Sequence, residues 1–126
     1  MVTELALWDD SYSMEQTATG SQYCLVELSA ANQVDVCDGA GDIAIGILQN
    51  TPGAGQAAQV RKLGRSKLIA GAGAITVGNR IGTDASGHGV AKTANGDWCI
   101  GIAETASSAS GTIIDVSMTG CFYYAT

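Results

Sequence analysis

A unit of sequence occurs twice in this chain, about 55 residues apart, and the repetition restricts the fold more than any other feature. The first copy reads DIAIGILQNTPGAGQAAQV from Asp42 to Val60, and the second reads DWCIGIAETASSASGTIIDV from Asp97 to Val116. Asp42, Ile45, Gly46 and Ile47 match Asp97, Ile100, Gly101 and Ile102; after one inserted residue, Gly55 and Val60 match Gly111 and Val116. Each copy is an apolar strand interrupted by a glycine, a loop of small residues, and a second strand ending in valine. Such doubling describes a pseudo-symmetric β-barrel or sandwich. Gly46 and Gly101 are expected at equivalent points, where each relieves a crowded bend or a close backbone approach.

The rest of the chain reads the same way. QYCLVEL and QVDVC are strands joined through SAAN, with alternation at Val34 and Val36. Pro52-Gly53 is a turn pair, fixed φ followed by free φ. AAQVRKL and RSKLIA read as two strands split at Gly64, and the DASG and ANGD turns flank the short strand GVAKT. Turn signals recur about every 8 to 12 residues, the spacing of all-β domains. The fold class is mainly β: a small barrel or sandwich over residues 22–126, with repeat units at about 42–60 and 97–116. Residues 1–21 show neither a helical nor a strand period and read as an N-terminal arm rather than a core element.

At 126 residues the chain is one domain, able to bury a core without metal or disulfide staples. Charged residues are 14%, against ~25% in ordinary soluble domains, which points to a surface covered by other chains. A net charge of −6 argues against nucleic acid or an anionic membrane as partner. No stretch approaches the ~20 apolar residues of a membrane span, and no secretory signal is legible. Cys24, Cys37, Cys99 and Cys121 lack the spacing of a metal or redox motif, so buried thiols are the default.

No constellation supports catalysis. His88 is the only histidine and sits in a turn, and its acid and hydroxyl neighbours Asp84 and Ser86 are too close in sequence to reach one imidazole. Asp35, Asp38 and Asp42 lack the spacing of a calcium loop. The glycine-rich GAGDIAIG and GAGAITVG open no helix that would aim amides at phosphate. The chain therefore reads as a non-enzyme with no metal or cofactor.

Contact features remain. Arg61, Lys62, Arg65 and Lys67 hold four of the six basic charges, and read equally as a solvated strand edge or as a contact with an acidic partner surface or the acidic arm of a neighbouring subunit. Aromatic weight sits at the termini, in Trp8 and Tyr12 beside Met14, and in Phe122, Tyr123 and Tyr124, of which Phe122 reads as closing the core. Trp8 is the expected buried anchor of a docking arm; the alternative is an added strand with Leu5 and Leu7 turned inward.

The ordered series IGILQNTPGAGQAAQV, AITVGNRIGTD and DASGHGVA, closed by the second IGIA unit and its GTIIDV ending, resembles the capsid decoration (cement) proteins of tailed bacteriophages over about Asp42 to Met118. The resemblance implies a structural virion protein that binds the outer surface of the head after shell expansion and stabilises it. It implies the major capsid protein and copies of itself as partners, commonly as a trimer, and synthesis in the host cytoplasm. The rival reading is a glycan- or host-binding β-module on the virion surface.

Overall fold

The computed structural model describes residues 4–123, which form nine strands and no helix. They are β1 (Leu5–Met14), β2 (Leu25–Ala30), β3 (Gln33–Val36), β4 (Gly46–Leu48), β5 (Ala57–Ile69), β6 (Arg80–Thr83), β7 (Gly89–Ala91), β8 (Trp98–Ala103) and β9 (Ile113–Tyr123). Hydrogen bonding joins them in the order β1-β3-β2-β4-β5-β9-β8-β6-β7, with a further β1–β5 pairing.

These pairings form two circuits that share β5. The first runs β1-β3-β2-β4-β5 and closes through β5 onto β1. The second runs β5-β9-β8-β6-β7 and closes through a parallel bridge between Ala70 and Gly89. Closing a circuit leaves fewer open sheet edges than a flat sheet of the same strands.

The two circuits are built alike. Ile47 pairs with Arg61 and Leu48 with Val60; 55 to 56 residues later, Ile102 pairs with Ser117 and Ala103 with Val116. Val26 pairs with Val36 and Gly46, as Ile81 pairs with Ala91 and Gly101. The parallel contact of Met14 with Val34 has its counterpart in the Ala70–Gly89 bridge. Left-handed backbone recurs too, at Asn32 (φ 56°) and Gly87 (φ 77°), and at Gly55 (φ 79°) and Gly111 (φ 90°).

This equivalence makes β1 the counterpart of the second half of β5. The residues expected to form an arm are therefore, over Leu5–Met14, the opening strand of the first circuit, paired with β5 from Leu5↔Arg65 to Ser13↔Ala57. The signal was absent because residues 5–13 are exposed or half-buried, so no apolar face alternates; only Met14 enters the core. The two strands expected on either side of Gly64 are one 13-residue strand. Gly64 keeps it continuous at φ 110°, where the Leu5 carbonyl leaves no room for a Cβ.

Two apolar clusters fill the structure. The smaller, inside the first circuit, is Met14, Ala18, Val26, Val34, Leu48, Ala58 and Val60. The larger gathers Leu25, Ile47, Leu68, Ile81, Ile100 and Ile114 with their neighbours. Aliphatic side chains of this kind contribute roughly 1.5–3 kcal/mol each on full burial.

Candidate interaction surface

Three basic side chains of β5, Arg61, Lys62 and Lys67, reach residues of the N-terminal segment. The Arg61 guanidinium, 10% exposed, donates through Nε to Asp9 Oδ1 at 2.9 Å and through Nη1 to Glu4 Oε2 at 3.2 Å. It also donates to the Arg65 carbonyl at 3.1 Å. Its hydrogen bonds to the Asp9 carboxylate raise the guanidinium pKa further despite burial. Glu4 also pairs with Lys67 at 3.4 Å. Lys62 Nζ donates to Tyr12 Oη at 2.7 Å and lies 4.2 Å from the centre of the Trp8 ring. Arg65 turns the other way and forms a two-pronged pair with Glu104.

The basic cluster thus meets the acidic N-terminal segment, as its charges suggest, but within one chain. Trp8 is not buried: one face carries Lys62, and 48% of the residue remains exposed. Leu5 and Leu7 do not point inward either; they are 58% and 69% exposed. Met14, expected at a partner contact, is a core residue. Leu5 and Leu7 line a shallow groove with Gly64, Arg65, Glu104 and Met118. Leu5, Leu7 and Trp8 thus leave apolar area exposed on the strand that the Arg61 ion pairs help to hold. Tyr123 belongs to β9, opposite Trp98, and Tyr124 lies outside the described residues.

The acids near turns act locally. Asp84 Oδ1 accepts the backbone N–H of Ser86 at 2.8 Å and of His88 at 2.9 Å, closing its own turn rather than orienting the imidazole. Asp42 Oδ2 accepts from Asp38 and Gly39, as Asp97 Oδ2 accepts from Ala94 in the second unit. One constellation escaped sequence reading, because Glu27 comes to it from β2 and fits no ligand-spacing motif with the other two. Glu27, Cys37 and Asp42 bring potential ligand atoms within 4.8 Å of one another. Partial burial, the hydrogen bond to Asp42 and the charges of Asp42, Asp38 and Asp35 push the Glu27 carboxyl up to about 7. Burial pushes the Cys37 thiol up to about 12. When protonated, Glu27 donates to Asp42, and the like-charge contact between the two carboxyls is removed.

Comparison with known proteins bears on most of the chain. The sequence profile of the phage cement protein family matches residues 16–118. No curated protein sequence matches the chain. A solved structure described as the crystal structure of head fiber gp8.5 N base in bacteriophage phi29 has a similar fold. Its TM-score is 0.67 over 93% of this chain and 98% of that one, at 16% identity.

Proposed function

The chain belongs to the phage cement protein family, and we propose that it binds the outer surface of a phage head and stabilises the mature shell. The family match across residues 16–118 carries this reading. The major capsid protein is the proposed partner, with copies of the chain associating as a trimer. Synthesis in the host cytoplasm precedes incorporation into the virion. The role is structural and non-enzymatic.

The physics of such a role is mass action. A ligand that binds only the mature shell lowers the free energy of that state, and contacts repeated over a lattice sum to a large effect. The surface supports the reading: Leu5, Leu7 and Trp8 expose apolar area, while Arg61 and Lys62 hold their strand in place. Tyr12, Arg65, Tyr123 and Tyr124 are proposed as flanking contacts. Purified protein added to heads lacking it should bind saturably and raise the temperature at which the shell opens. Heads that neither take up the protein nor gain stability would overturn the proposal.

A further inference from the structure

We propose that the face formed by Glu27, Leu28, Ile43 and Ile45 takes an extended segment of the major capsid protein that carries a lysine or arginine between apolar side chains. The inference deepens the proposed head binding and rests on it.

The pairing equivalence of the two circuits sets Glu27 against Gly82, Cys37 against Lys92 and Ile43 against Trp98. In the second circuit the chain covers this face itself. The Lys92 stem lies across Gly82, where an added Cβ would fall 2.8 Å from its Cγ, and the Trp98 carbonyl closes in as well. A strand is also supplied there: Trp98 pairs with Tyr123 and Cys99 with Phe122.

In the first circuit that cover is missing. Beyond Arg61, β5 leaves β4 and pairs with β9 from Gly64 onward, so β4 starts only at Gly46 and Ile43–Ile45 lies outside any strand. Cys37, in the place of Lys92, is buried in the larger cluster. Leu28 and Ile43 stay 55% and 48% exposed around a shallow groove with Glu27 and Ile45. The second circuit thus displays what fits such a face: a basic side chain with an apolar stem, beside an added strand.

Charge selects the same occupant. Asp35, Asp38 and Asp42 surround Glu27, and burial with neighbouring carboxylates holds Glu27 and Asp35 above the usual carboxyl range. Arg61, Arg65 and Lys67 direct their charge to Glu4, Asp9 and Glu104 instead. A cation brought among the four acids offsets their repulsion, while the apolar side chains on either side of it cover Leu28 and Ile43.

Heads lacking the protein are titrated with the parent chain, with Asp38→Lys and with Ile43→Ser. Val77→Ser, at an exposed apolar residue of a separate turn, is the control. Asp38 and Ile43 are exposed, so the variants should melt with the parent. Asp38→Lys and Ile43→Ser should each weaken head binding about tenfold and Val77→Ser should not. Added salt should weaken the parent more than Asp38→Lys. Hydrogen exchange needs no variant: the amides of residues 43–45 should slow when the parent chain is bound to heads. Parent-like binding by both variants, an equal loss in Val77→Ser, or unchanged exchange at 43–45 would overturn the inference and leave head binding in place. A parent chain that does not bind heads overturns both. Variants that keep head binding but lose self-association in sedimentation would assign the groove to a second copy, which also overturns the inference.

Discussion

Gly101 lies against the backbone of Ser117 so closely that a methyl group on it would overlap the Ser117 carbonyl oxygen. Gly46 meets Arg61 in the same way, its added Cβ falling 2.5 Å from both Arg61 O and Val60 Cγ1. Backbone cannot retreat as a flexible side chain does. Gly46→Ala and Gly101→Ala should each cost about 1–3 kcal/mol, the usual penalty of overpacking. Gly41→Ala, with no atom within 4 Å of its added Cβ, is the control and should leave the denaturation midpoint in place.

Met14 and Leu7 lie on one strand with opposite fates. Met14 is 1% exposed within the smaller cluster, so Met14→Ala should destabilise the protein by about 2–5 kcal/mol. Leu7→Ala, at a residue 69% exposed, should stay within about 0.5 kcal/mol in the free protein and weaken head binding. Urea denaturation and head-binding titrations check the pair. Removing residues 1–14 should lower stability outright, because the first circuit loses its opening strand.

Arg61 and Arg65 are four residues apart and differ in environment. Arg61→Ala leaves Asp9 and Glu4 without their shared donor at a site 10% exposed; a loss of about 1.5–3 kcal/mol is expected for hydrogen bonds to charged groups. Arg65→Ala removes a pair whose side chains are each about one-third exposed, at 34% and 33%, and should not shift the melting temperature measurably. Raising the salt concentration should weaken the Arg65–Glu104 pair more than the Arg61 cluster.

Glu27 gives the fold a pH dependence of definite sign. Its carboxyl is raised from 4.5 to about 7 on folding, so the folded state holds the proton more tightly than the unfolded one. The associated stability is fully present below about pH 4.5 and is lost as pH rises through about 7. Asp42, lowered by its hydrogen bond with Glu27, stays the charged acceptor of the pair. Glu27→Gln keeps a donor toward Asp42 without a titrating charge. It should melt above the parent protein at pH 8, and the difference should vanish below pH 4.5. A difference independent of pH would exclude this account.

The four thiols should react unequally. Cys24, Cys37 and Cys99 are buried and Cys121 is exposed. Burial pushes Cys24 up to about 11, with the Asp84 charge adding to it, and Cys37 up to about 12. A brief alkylation of native protein at pH 7.5 should add one label by intact mass, and unfolding should add the rest.

The β class, the spacing of the two units and the turns between strands were legible in residues that act locally. Pro52-Gly53 fixes a turn wherever it stands, and alternation at Val34 and Val36 marks a strand with one buried face. Three matters were decided only by tertiary structure. Leu5–Met14 joins the sheet although neither of its faces is buried along most of its length, so no periodicity announces it. Arg61 finds Asp9, and Lys62 finds Trp8, across a ladder whose register is set by strand pairing and not by neighbours in sequence. Glu27 meets Asp42 because β2 runs past the 38–42 turn. A local signal depends on one residue's own backbone and its near neighbours; a contact across strands depends on how the whole chain closes.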